Sequence, residues 1–198
     1  SEEAKVANRM ARTVEGGRLI DYYTEGSLKI GVYIPDADDW RDPTEYALVF
    51  KGTTPTSSED WVNNAQQYLG EYSAHLTAGL AYTGDFVKSK SDYEITFVGH
   101  SKGGGEAAIN AEFWNRNAIV FNPSVPEMTW TLADQGYVQS YVVRGDILNT
   151  YLGELPFGST IYFEQQHNGW LPGVSIADMI NNHFMDSILT AISKGAYE

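Results

Sequence analysis

The sequence predicts an α/β fold, a mainly parallel sheet with helices on both of its faces. Three observations carry this. Short apolar runs of β-type residues, Tyr46-Ala47-Leu48-Val49-Phe50, Ile95-Thr96-Phe97-Val98 and Ala118-Ile119-Val120-Phe121, recur along the chain. Helical segments lie between them, at residues 74–88 and 102–114. The runs are continuous rather than alternating, which is the pattern of strands buried on both faces, as in a parallel sheet under two helical layers.

Taken in order, residues 2–15 have helical propensity, with Val6, Met10 and Val14 on one face and Gly16-Gly17 as a stop. Residues 28–34 alternate as a strand that ends at Pro35. After the 46–50 strand, Ser58 with Glu59 and Asp60 marks a helix start running to about Leu69, and residues 74–88 form another helix. The 95–98 strand stops at glycine, and residues 102–114, rich in Ala and Glu, follow as helix. The 118–121 strand is ended by Asn122-Pro123, a 137–143 strand by Gly145, and 160–163 forms a further strand. Ser175 caps a last helix that continues to about residue 193 and ends at Gly195. With no internal repeat and no low-complexity segment, one domain over residues 1–198 is expected.

Composition narrows the function classes. Twenty-six acidic residues against 13 basic ones give a net charge of −13 over 198 residues, the wrong balance for a general nucleic-acid binder or for steering toward an anionic membrane. The absence of cysteine rules out disulfides, thiolate catalysis and Cys-based metal sites. No apolar run approaches the about 18 residues of a bilayer span. Ser1-Glu2-Glu3-Ala4-Lys5 is not a signal peptide, so the chain is either cytosolic or has lost a signal or a larger parent. The acidic run Asp36-Ala37-Asp38-Asp39 lacks the glycine turn and distal Glu of an EF-hand, and no G-K-[ST] follows Gly103-Gly104-Gly105, which excludes a P-loop. Neither metal nor cofactor is expected.

In a parallel sheet the functional residues sit at the carboxyl ends of strands. Gly99-His100-Ser101-Lys102-Gly103 fits G-x-S-x-G, with an apolar strand before it and a helix after it. That is the context of a nucleophile elbow, in which glycines relieve crowding so that a serine can occupy a strained turn and expose its hydroxyl. Such a serine needs a base, and the base an orienting acid. Asp146 follows the 137–143 strand through Gly145 at a carboxyl end, whereas Asp134 precedes that strand. Two histidines lie downstream, His167 in a polar loop and His183 in the last helical region, and the order Ser, Asp, His admits either as the base. An oxyanion needs two N–H donors: the residue after the nucleophile, Lys102, supplies one, and Thr53, after Phe50-Lys51-Gly52, supplies the other.

Together, Val49-Phe50-Lys51-Gly52-Thr53, Asp60-Trp61, Gly99-His100-Ser101-Lys102-Gly103-Gly104, Asp146 and His183 resemble the class 3 lipase family, the fungal-lipase-like α/β-hydrolases that include bacterial lipases and phospholipases A1. The resemblance covers roughly residues 46–186. It implies an α/β-hydrolase fold, Ser101 as nucleophile, Asp146 as acid, His183 as base, Thr53 and Lys102 as the oxyanion hole, and no cofactor. It implies a lipid or other acyl-ester substrate, contact with a lipid interface, and export. His75-Leu76-Thr77-Ala78-Gly79 resembles the family's H-x-G segment, where His75 is structural. Lys51 stands where the family has Arg, and Lys102 where it has Leu. A cation beside the nucleophile tilts the expectation toward phospholipase A1 over triacylglycerol lipase, if the side chain reaches the mouth of the site rather than pairing with an acid such as Glu106. Residues 54–69 are short and polar for a lid. The apolar positions Ile147, Leu148, Tyr151, Leu152, Leu155, Phe157, Trp170 and Leu171 form either an acyl-binding wall or core under a long loop. The competing functions are a non-catalytic binding domain on a degenerate hydrolase fold and a thioesterase or peptidase on the same machinery.

Overall fold

The computed structural model describes residues 17–52, 72–125, 136–168 and 175–195. Within them, seven strands form one sheet whose order follows the chain: β1 (Gly17–Glu25), β2 (Leu28–Pro35), β3 (Glu45–Phe50), β4 (Glu94–His100), β5 (Asn117–Phe121), β6 (Tyr137–Val143) and β7 (Ser159–Phe163). The pairs β1–β2 and β2–β3 are antiparallel, and every pair from β3 to β7 is parallel. Five helices accompany the sheet: α1 (Tyr72–Ser89), α2 (Lys102–Trp114), α3 (Ile147–Leu152), α4 (Ile176–His183) and α5 (Met185–Lys194). The helices expected over 2–15 and 58–69 lie outside the described residues.

Side chains alternate across the sheet and fill two layers. On one face Ile30, Val32, Leu48, Phe50, Ile95, Phe97 and Val120 pack under α1 and α2, with Ala107, Ala108 and Ala111 of α2 in the same cluster. On the other face Tyr33, Val49, Val98, Phe121, Val143 and Phe163 pack on Ile188 and Ala191 of α5. Helix α2 is buried from Lys102 through Glu112 because α1 covers its outer side. Small residues make this approach possible. A Cβ at Gly84 of α1 would lie 2.4 Å from the Trp114 ring, and one at Gly99 would lie 2.1 Å from the Gly103 carbonyl oxygen.

Two elements differ from the sequence expectation. Strand β1 was not expected, because an exposed edge strand carries no apolar alternation; it pairs with β2 through a two-residue turn in which Gly26 takes φ 59°. The single last helix is two. The chain leaves helical geometry at Phe184 (φ −68°, ψ 149°). The carbonyls of Asn182 and His183, which a continuous helix would spend on residues four ahead, instead accept hydrogen bonds from Asn122 and His100.

The apolar positions of the 147–171 stretch divide. Ile147 and Leu148 pack on Ile180, and Leu155 joins the main core, while Tyr151 and Leu152 are exposed. Trp170 and Leu171 lie outside the described residues. At the acidic turn, Thr44 donates to Asp38 through its backbone and its hydroxyl, at 2.6 and 2.8 Å, and these bonds hold the Asp38 carboxyl below the usual range. Among the described residues no cluster of His, Asp and Glu is arranged to hold a metal ion, and no helix is long and apolar enough to cross a membrane.

Candidate active site

Strands β3 to β7 end together at one edge, with Phe50 level with Gly99, His100 with Phe121, and Val143 with Phe163. The candidate residues follow these ends. Ser101 sits between β4 and α2 at φ 59°, ψ −127°, a conformation that a non-glycine residue holds only when its surroundings enforce it. Its carbonyl accepts from the N–H groups of Gly104, Gly105 and Ser124, and its own N–H donates to the Phe121 carbonyl. The turn is tight on every side. A Cβ at Gly103 would lie 2.4 Å from the Phe50 carbonyl oxygen, and one at Gly52 would lie 2.4 Å from that of His100. The end of β3 is thereby held against the turn, and α2 aims its N-terminus into the same space.

The structure brings Ser101, His183 and Asp146 into one hydrogen-bonded line. His183 Nε2 lies 2.8 Å from Ser101 Oγ, and His183 Nδ1 lies 2.5 Å from Asp146 Oδ2. All three residues are buried, Asp146 completely. A carboxylate can only accept, so Nδ1 carries the proton and Nε2 presents its lone pair to the serine hydroxyl. That is the tautomer a general base requires. Asp146 is fixed in turn as the N-cap of α3, with Oδ1 accepting from Asn149 N–H at 2.7 Å.

The other histidines have different surroundings. His167 is exposed in the loop after β7, where its N–H donates to Asn182 Oδ1 and its carbonyl accepts from Asn182 Nδ2. The structure does not bring it to Ser101. His100 donates from Nε2 to the His183 carbonyl at 2.7 Å, and the two rings lie 4.9 Å apart. Burial first, and the neighbouring His183 second, push the His100 pKa down to about 3, so it is a neutral donor. His75 bridges Ser27 and Lys102, with Nε2 2.7 Å from Ser27 Oγ and Nδ1 2.8 Å from Lys102 Nζ.

Of the two courses open to the Lys102 ammonium, the mouth of the site or an inward partner, the structure shows the inward one. Its side chain is 7% exposed and runs to His75 on α1. The carboxylate of Glu106 lies near the same imidazole, 3.4 Å from His75 Nδ1. As the first residue of α2, Lys102 still presents its backbone N–H at the helix N-terminus, whatever its side chain does. Thr53 lies outside the described residues, immediately after Gly52.

Sequence reasoning missed Asn122. In the sequence it marks only the end of a strand, yet its amide joins β5 to the His183 and Asp146 segments. The Asn-Pro pair after an apolar strand was the available signal, and it does not distinguish a turn residue from one with a buried task.

Among solved structures, the chain is similar to a lipase from Rhizopus microsporus var. chinensis, with TM-score 0.50 and 16% identity, covering 80% of this chain and 64% of that one. It is also similar to a triacylglycerol lipase from Penicillium expansum, with TM-score 0.50 and 15% identity, covering 82% and 77%. A third likeness is to a fungal lipase in complex with an inhibitor, with TM-score 0.50 and 15% identity, covering 85% and 81%. The chain thus spans less than two thirds of the Rhizopus lipase. At these identities the likeness establishes an α/β-hydrolase fold. No curated protein sequence matches. Residues 15–192 match a phospholipase-like family, described as the Tle-like phospholipase domain. With most of its length matched, the chain belongs to that phospholipase-like family, a class 3 lipase-like group on the α/β-hydrolase fold.

Proposed function

We propose that the protein hydrolyses carboxylic esters of lipids through an acyl-enzyme on Ser101. The observation that carries this reading is the line Ser101 Oγ, His183 Nε2 and Nδ1, Asp146 Oδ2, at 2.8 and 2.5 Å, next to a helix N-terminus. Ser101 Oγ attacks the acyl carbonyl as His183 Nε2 takes its proton. His183 returns that proton to the alkoxide of the departing alcohol. Water, deprotonated by the same nitrogen, then attacks the acyl-enzyme and releases the fatty acid and Ser101. Asp146 keeps the proton on Nδ1 and stabilises the imidazolium that forms in each half-reaction. The backbone N–H groups of Lys102 and Thr53 receive the charge that develops on the carbonyl oxygen.

Family membership supports a lipid ester as substrate; within that reading phospholipids, cleaved as by a phospholipase A1, are taken ahead of neutral glycerides. The Lys102 side chain no longer adds to that preference, since its ammonium is spent on His75. A lipid substrate also fits export and working contact with a lipid interface.

Product analysis on phospholipid vesicles and on neutral triglyceride emulsions tests the reading. Free fatty acid and lysophospholipid are expected from wild type, and Ser101→Ala should lose at least about a hundredfold in turnover while staying folded. Hydrolysis of triglyceride alone would make the protein a neutral lipase. Failure of wild type to release acid from any ester, or to react with a fluorophosphonate probe, would overturn the hydrolase reading in favour of a binding domain.

A further inference from the structure

We propose that Asn122 is a positioning residue for the reaction, a clasp that holds the base on the acid; this rests on reading His183 as the base. Asn122 is completely buried at the end of β5, at φ 39°, a left-handed conformation that asparagine tolerates better than most residues. Its amide spends both donors and one acceptor position. Nδ2 donates to the carbonyls of Asn182 and His183, at 3.0 and 3.1 Å. Oδ1 accepts from Val143 N–H at 2.9 Å. The partners fix which way the amide faces, because two carbonyls need the NH2 and one N–H needs the oxygen.

The two sides of that amide lead to the two partners of the catalytic line. Val143 ends β6 and accepts the Asp146 N–H on its carbonyl, so Asn122 grips the turn that presents the acid. Asn182 and His183 are the last two residues of α4, where carbonyls have no helical partner. Asn122 supplies those partners and thereby seats the helix end that presents the base. A third contact fixes β5 itself, since Asn122 N–H donates to the Tyr141 carbonyl of β6. One side chain that touches neither His183 Nδ1 nor Asp146 Oδ2 therefore ties together the two segments that carry them. His100 shares the His183 carbonyl, but it reaches back to β4 and has no bond to the acid's segment.

Two variants separate positioning from folding. Asn122→Gly accepts the backbone conformation and removes the amide. Asn122→Asp keeps its shape but puts an acceptor opposite two carbonyls. Val32→Ala, at a buried core position of β2, serves as a destabilised control away from the site. Each is assayed on a soluble ester, for reactivity of Ser101 toward a fluorophosphonate, and by NMR for the low-field proton between His183 and Asp146. Both Asn122 variants are expected to lose about 10- to 100-fold in kcat and in labelling rate, with KM changed by less than about threefold, as for a reacting group displaced by about 1 Å. The low-field resonance should broaden or move upfield in both and remain in Val32→Ala. Wild-type labelling, kcat and resonance in the Asn122 variants would overturn the proposal, as would the absence of the resonance from wild type. If wild type has no hydrolytic activity the reading of the function fails, while the resonance still reports whether Asn122 clasps His183 to Asp146.

Discussion

The two oxygens of Asp146 are divided between a helix and an imidazole. Oδ1 caps α3 and Oδ2 meets His183. Asp146→Asn exploits this division. Its carbonyl oxygen can keep the cap, which leaves an NH2 facing His183 Nδ1. That nitrogen must then accept, the proton moves to Nε2, and the base turns a donor toward Ser101. We expect kcat to fall by about 10³- to 10⁴-fold on a soluble ester with a melting temperature near wild type. A loss below tenfold would remove Asp146 from the proposed role. His100 makes a prediction about stability. Its folded pKa of about 3 lies below the ordinary histidine value, so between these two the unfolded chain binds a proton that the folded chain refuses. Stability is therefore retained above about pH 6.5 and lost as pH falls toward 3, by up to about 1.4 kcal/mol per pH unit. Urea unfolding of wild type and of His100→Gln, which keeps a donor for the His183 carbonyl, should show a flatter acid limb in the variant. Parallel limbs would contradict the assignment of the proton to His100.

The turn from β4 to α2 depends on glycines that meet backbone rather than side chains. Gly103→Ala would drive a methyl to 2.4 Å from the Phe50 carbonyl and 2.8 Å from Gly52 N, atoms that cannot rotate away. The variant should lose about 1–3 kcal/mol in urea unfolding. It should lose more in turnover than in stability, because the displaced segment leads into Thr53. Equal, small losses would mean that the β3 end moves freely. Elements such as this one were legible in the sequence because local chemistry defines them: apolar runs set β3, β4 and β5, and Ser175 caps α4. What escaped was set from a distance. Strand β1 is exposed along nearly its whole length and carries no pattern. Helix α3 is six residues long, too short to show a period, and is begun by the residue already assigned as the acid. The break at Phe184 is imposed by Asn122 and His100, 60 and more positions earlier in the chain. The elbow pattern, chain order and the family resemblance together brought Ser101, Asp146 and His183 to attention, but no sequence pattern marks an asparagine whose side-chain partners are all main-chain atoms.

At the scale of the molecule, each strand among the described residues pairs with the next in sequence, so the sheet grows from one edge to the other in the order in which the chain is made. The candidate catalytic residues are not distributed that way. Ser101 follows the fourth strand, Asp146 the sixth, and His183 lies at the end of α4, beyond the seventh. Each strand pairing closes only its own hairpin or crossover, whereas seating α4 requires β5, β6 and β7 to be in place. On refolding from urea, far-UV circular dichroism should recover before Ser101 regains reactivity toward a fluorophosphonate. Simultaneous recovery would show that the sheet and α4 form together. The ordering has a meaning for the cell that synthesises the protein. A nascent chain can hold most of the sheet while lacking its base, so the proposed hydrolase would stay chemically silent on the ribosome and acquire its activity only once α4 had docked.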